Sequence, residues 1–124
     1  MAENSKALGD WGENIAFDYL KNKGYKIKDR NWKNKWGEID IVAEKNKVLV
    51  FVEVKTIKQQ AGFAPEDKID CRKKRQLAKM AQMYLFKHCP LLDTACQIDI
   101  IAIEQKPASP PQISHFANAV EDLI

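Results

Sequence analysis

Residues 48–56, Val-Leu-Val-Phe-Val-Glu-Val-Lys-Thr, limit what this chain can fold into more than any other segment. They are the strongest strand pattern present, rich in β-branched and aromatic side chains. By alternation Val48, Val50, Val52 and Val54 share one face, which can pack entirely on helices. The other face carries Leu49, Phe51, Glu53 and Lys55. A buried sheet has no structural use for Glu-x-Lys there unless the pair sits at an open edge of the core.

The segments on either side complete the outline. Between Lys6 and Lys23 the residues Leu8, Trp11, Ile15, Ala16, Tyr19 and Leu20 recur at helical spacing, and Gly24 suits the left-handed position that ends a helix. Tyr25, Ile27 and Trp32 predict a first strand ending near Asn31, with Lys26, Lys28 and Arg30 on its other side. Glu38–Glu44 is a second strand, and the polar Lys45-Asn46-Lys47 joins it to the third as an antiparallel hairpin. After a loop from Lys58 to Glu66, a second helix is expected over Asp67–His88, with Leu77, Met80, Ala81, Tyr84 and Leu85 on one stripe and Pro90 closing it. Gln97–Glu104 is a further strand, the Pro107–Pro111 stretch a turn, and Ile113–Val120 a final short strand or helix. The order αβββαβ predicts an α/β fold, a mixed central sheet flanked by helices. At 124 residues this is a single domain, with residues 1–5 a polar tail.

Composition narrows the class. With 45% hydrophobic and 30% charged residues, the chain is neither disordered nor of low complexity. Its longest unbroken apolar run, Val48–Val52, is far short of a membrane span, and the N-terminus has no secretory pattern, so a cytoplasmic protein is expected. Cys71, Cys89 and Cys96 lack metal-ligand spacing and read as reduced, partly buried thiols. The net charge of +3 argues only weakly for a polyanionic partner. Neither His88 nor His115 has a ligand-like neighbour in sequence, and His88 reads as a cation at a helix C-terminus.

The hairpin carries the chemistry. If Asn46-Lys47 is a two-residue turn, Lys45 pairs with Val48, which puts Asp40 across from Glu53 and Glu38 across from Lys55. Cross-strand partners have Cβ atoms about 4.5–5.5 Å apart. Two carboxylates that close repel, and the fold gains nothing from them unless a cation lies between. Metal-assisted phosphodiester hydrolysis wants such a set: two hard-oxygen ligands for Mg²⁺, and a lysine to orient the attacking water or hold the transition-state phosphate. Taken singly, Asp40 reads first as a strand-edge acid and Glu53 with Lys55 as a surface ion pair; together on one hairpin face, among apolar residues, they favour the metal site.

The stretches Gly-Asp-x-Gly-Glu13, Asn31-Trp, Gly37-Glu38-Ile39-Asp40-Ile41, Phe51-Val52-Glu53-Val54-Lys55 and Cys96–Ile101 resemble the YraN family of small bacterial proteins. That family is assigned to the PD-(D/E)xK nuclease superfamily, near the archaeal Holliday-junction resolvases. The resemblance implies a metal site for Mg²⁺ or Mn²⁺ made by Asp40, Glu53 and the backbone carbonyl of Val54, with Lys55 as catalytic lysine. It implies that Glu13 reaches the metal directly or through water; as a residue, Glu13 reads equally as a first-turn acid complementing the helix dipole. Lys73 aligns with a basic position of the family's second helix and continues the apolar stripe four residues before Leu77. Arg72-Lys73-Lys74-Arg75 is a cationic patch at a helix start, suited to a polyanion or simply to solvent. Ile57 and Gln97 stand where the family usually has arginine; Lys58 compensates for the first of these losses. Trp32 and Trp36 flank Lys33 and Lys35, an arrangement that suits stacking on splayed bases, although packing of the rings on the hairpin is the simpler reading.

The resulting expectation is a Mg²⁺-dependent endonuclease acting on nucleic acid, DNA first, including branched or repair intermediates, with no membrane partner. A homodimer would suit cutting two strands. The alternatives are a nucleic-acid-binding module or assembly factor that keeps the fold without turnover, and a protein–protein adaptor.

Overall fold

A computed structural model describes residues 5–58, 70–88 and 94–120. The elements are α1 (Ser5–Asn22), β1 (Lys26–Asn34), β2 (Gly37–Lys45), β3 (Val48–Ile57), α2 (Cys71–His88), β4 (Cys96–Glu104) and β5 (Gln112–Phe116). The strands form one sheet in the order β1-β2-β3-β4-β5. Among the described strands only β3 and β4 pair in parallel, so the sheet is mixed. The start of the second helix and its closure at Pro90, as expected from sequence, fall at residues outside those described, as do most of the loop before it and Cys89.

The two layers follow from the strand alternation. Val50 and Val52 pack with Ala16 and Leu20 of α1, Ile41, Ala43, Ile101 and Ile103. Leu49 and Phe51 pack with Leu77, Met80, Ala81 and Tyr84 of α2, Ile39, Val42 and Ile98. Helix α1 therefore covers one face of the sheet and α2 the other. Gly24 ends α1 at φ +93°, with Tyr25 N donating to Leu20 O at 2.9 Å and Gly24 N to Lys21 O at 3.0 Å. That is a Schellman closure. Helix α2 is opened by Asp70, whose carboxylate caps it by accepting from Lys73 N at 2.9 Å.

Asn46 and Lys47 both have positive φ, 53° and 65°, the conformation of a type I′ hairpin turn. The register is the expected one: Lys45 pairs with Val48, and the ladder runs on to Ile41 with Val52. There it stops, so Glu38 gains no ladder partner at Lys55; it pairs with Lys33 of β1 instead. Strand β1 also departs from expectation. Asn31 does not end it but lies in mid-strand at φ 53°, opposite Asp40 between the pairs Arg30–Ile41 and Trp32–Ile39. Both strands change faces at this point: Ile41 belongs to the α1 layer, whereas Ile39 and Trp32 belong to the α2 layer. The C-terminal segment is a strand, β5, antiparallel to β4. Cys71 is exposed and Cys96 half-buried, and neither is in a disulfide, so only Cys96 matches the expectation of a partly buried thiol.

Candidate active site

The place where β2 leaves β3 is where the acidic residues meet. With the ladder ended at Ile41–Val52, the Val54 amide has no strand partner on that side, and the Asp40 carboxylate accepts from it at 2.8 Å. Continuing the register by one residue sets Asp40 beside Glu53, which is only 5% exposed. Burial, and then the Glu53 charge, push the Asp40 carboxyl up to about 7, against the stabilising Val54 amide. Glu53 is also raised by burial, while Lys73 and then Lys55 pull it back. Lys73 Nζ, from α2, lies 3.5 Å from Glu53 Oε2.

Glu13 arrives from the other layer. A Cβ at Gly12 would collide with the Thr56 hydroxyl, so the glycine lets α1 approach the end of β3 and carries the next residue to the site. Glu13 Oε1 accepts from Asn31 Nδ2 at 2.8 Å and lies 3.6 Å from Arg30 Nη2. The left-handed backbone of Asn31 thus serves a contact made by its side chain. Burial and the Asp40 charge raise the Glu13 carboxyl, and Arg30 opposes them. Among the described residues, no three His, Cys, Asp or Glu side chains gather at metal-binding range. Asp40 and Glu53 form a pair, and Glu13 stands beside it.

The donors nonetheless suit the ion that the resemblance implies. Two carboxylates are what Mg²⁺ or Mn²⁺ takes when it keeps several waters. The Glu53 charge raises the cost of ionising Asp40 beside it, and a divalent cation between them would offset that repulsion beyond what Lys73 does for Glu53. Asp40, Glu53 and the Val54 carbonyl would hold it.

The other cations expected to contact nucleic acid are exposed. Arg72 is exposed beside the helix cap, where its charge helps keep Asp70 ionised. Lys58 is exposed one residue beyond β3, and Lys33 and Lys35 are exposed at the β1–β2 turn. The tryptophans divide. Trp32 packs edge-on against Tyr84, with ring centres 5.2 Å apart, whereas Trp36 is 50% exposed. His88, the last residue of α2, stacks on Tyr84 at 4.3 Å.

A second polar cluster was not anticipated. Asp99, fully buried, accepts from Gln97 Nε2 at 2.8 Å and Asn118 N at 2.9 Å, and lies 2.7 Å from His115 Nε2. Tyr19 Oη is 3.0 Å from His115 Nδ1. Burial works against ionisation, but these bonds together hold Asp99 below its ordinary range. Gln97, in the position of the family's usual arginine, is thereby committed to Asp99. The buried acid at an inward-facing position of β4 was the available sequence signal, since such an acid must find partners.

No described helix is long and apolar enough to cross a membrane. Residues 12–103 match the uncharacterised protein family UPF0102. A UPF0102 protein from Geotalea uraniireducens is 42% identical over 118 residues, covering 95% of this chain and 92% of that one. Another, from Syntrophomonas wolfei, is 39% identical over 115 residues, covering 93% and 98%. A solved structure of Pyrococcus furiosus SfsA in complex with Ca²⁺ is similar at TM-score 0.41 and 17% identity, over 91% of this chain and 63% of that one. By the family match and the two close relatives, the chain belongs to the UPF0102 family.

Proposed function

We propose that this chain is a cytoplasmic, metal-dependent endonuclease that hydrolyses phosphodiester bonds, with DNA as the first substrate to test. The carrying observation is the half-buried Asp40 beside the buried Glu53, with Lys73 3.5 Å from Glu53. A fold that wanted only stability would avoid two like charges in such a place. Mg²⁺ or Mn²⁺ held there supplies an acidified water and neutralises charge developing on the phosphate. The protein groups do the positioning. The Val54 amide fixes the Asp40 carboxylate, and Lys73 keeps Glu53 toward its ionised form. Lys55 orients the attacking water or holds the phosphate. Glu13, held by Asn31, reaches the metal directly or through water. A homodimer cutting one strand with each copy fits this reading.

The test is calorimetric Mg²⁺ or Mn²⁺ titration of the wild type and Asp40→Asn, with cleavage assays on linear and branched DNA. Metal binding and cleavage are both expected to vanish in the variant. Equal cleavage by the two proteins would sink the reading.

One observation favours a second reading. Lys73 already supplies a cation to Glu53, so the acids can persist without metal in a nucleic-acid-binding module or assembly factor that has no turnover. That reading expects salt-sensitive binding that survives Asp40→Asn.

A further inference from the structure

Trp36 stands at the β1–β2 turn, and its backbone is held from two sides. Its N–H donates to Asn34 Oδ1 at 2.8 Å, and its carbonyl accepts from Gln76 Nε2 of α2 at 2.9 Å. A Cβ at the next residue, Gly37, would lie 2.8 Å from Gln76 Nε2, so that glycine makes room for the contact. The ring is left 50% exposed. Lys35 Nζ lies 4.7 Å and Lys79 Nζ 5.9 Å from its centre. An exposed indole on a fixed backbone, bordered by ammonium groups from two elements, has little packing value to the fold.

The turn is also joined to the acid pair. Gln76 Oε1 accepts from Lys73 Nζ at 3.4 Å, and the same ammonium lies 3.5 Å from Glu53 Oε2. Glu53, Lys73, Gln76 and Trp36 therefore form one line from the candidate chemistry to the exposed ring. We propose that Trp36 is a stacking platform for an unpaired base of a nucleic acid whose backbone lies at the Asp40–Glu53 pair. The substrate class is then one with a single-stranded or splayed segment next to the cut, and not a continuous duplex. The proposal deepens the nuclease reading and rests on it.

The chemistry favours this ligand over a protein. Cation–π contacts at exposed positions are weak. Phosphates would offer Lys35 and Lys79 stronger partners and free the ring face for a base. Lysine is depleted in the cores of protein interfaces, whereas aromatics among cations are how single strands are held. A turn already fixed by Asn34 and Gln76 loses little freedom on binding.

The experiment is fluorescence anisotropy in EDTA, so that neither metal nor cleavage contributes. The probes are a labelled single strand, a duplex with a frayed end, and a blunt duplex of the same sequence. The proteins are the wild type, Trp36→Ala and Trp36→Phe, with circular dichroism as the check on folding. The wild type should prefer the single strand and the frayed end. Trp36→Ala should weaken both by about 5- to 100-fold and leave the blunt duplex unchanged, and Trp36→Phe should recover most of the loss. No change in any affinity overturns the proposal and leaves the ring to a protein partner. An equal loss on all three probes also overturns it, making Trp36 a general contact. If no probe binds even at low salt, the proposal falls together with the nucleic-acid reading. If the stacking pattern holds while Asp40→Asn cleaves like the wild type, the nuclease chemistry alone falls.

Discussion

The Asp40 carboxylate takes the amide of Val54, 2.8 Å away, at the point where the ladder between their two strands has ended. A side chain thus completes the hydrogen bonding of a strand whose neighbour has turned aside. The register that ends there also sets Asp40 beside Glu53, so the backbone is secured at the place where two carboxylates meet.

The Asp40 carboxyl is raised from 3.8 to about 7. Unfolding therefore releases a proton that the native state holds between those values. The contribution of this group to stability is complete below about pH 4 and is lost as pH rises through 7. Asp40→Asn, which keeps an oxygen for the Val54 amide, should match the wild type near pH 4. Without metal at pH 8 it should be more stable, by roughly 1–3 kcal/mol. Denaturant unfolding in EDTA across this range measures the difference; a constant offset would contradict it.

Lys73 is the ammonium nearest Glu53, whose side chain is only 7% exposed. Lys73→Met should cost about 1–2 kcal/mol without metal, discounted because the lysine is itself one-third exposed. Mg²⁺ should then raise the melting temperature of the variant more than that of the wild type. Thermal unfolding with and without Mg²⁺ measures both effects.

Gly12→Ala puts a methyl group into the Thr56 hydroxyl. A cost of about 1–3 kcal/mol is expected from overpacking, together with displacement of Glu13. Adding Thr56→Ala should recover part of the loss, so the double mutant should be more stable than the sum of its singles. Strict additivity would show that α1 does not press on β3 there.

Asp99 rests on His115, Gln97 and the Asn118 amide. His115→Ala should cost about 2–4 kcal/mol by stripping a partner from a buried carboxylate. Because Asp99 is held below its ordinary range, its contribution is present above about pH 4 and is lost on acidification. The penalty of His115→Ala should therefore be larger at pH 7 than at pH 3, by chemical denaturation. Nucleic-acid affinity should not change, since the contacts of His115 are with Asp99, Tyr19 and Tyr25.

Local rules reach some of this structure and not the rest. The Asp40–Glu53 juxtaposition was legible because a two-residue turn at Asn46-Lys47 sets every later pairing on the hairpin. Lys73 was legible because the stripe Leu77, Met80, Ala81 and Tyr84 fixes which side of α2 meets the sheet. Asn31 was not: it is left-handed in mid-strand, and its side chain bonds Glu13, 18 residues earlier and on another element. The different environments of Trp32 and Trp36 were equally hidden, since they depend on where Tyr84 and Gln76 of α2 come to rest. His115 has no partner nearby in sequence; its carboxylate is 16 residues away across a strand pair.

The single parallel pairing, β3 with β4, orders events in time. Strands β1, β2 and β3 form a meander of short-range contacts, able to assemble early, whereas β4 can join only after the chain crosses the sheet with α2. The two acids belong to the early meander, and Lys73 comes with the late crossover. A nascent chain whose meander has formed but whose second helix has not docked therefore holds a carboxylate pair without its ammonium. Divalent cations should accelerate folding at that stage, before there is any active site for them to serve.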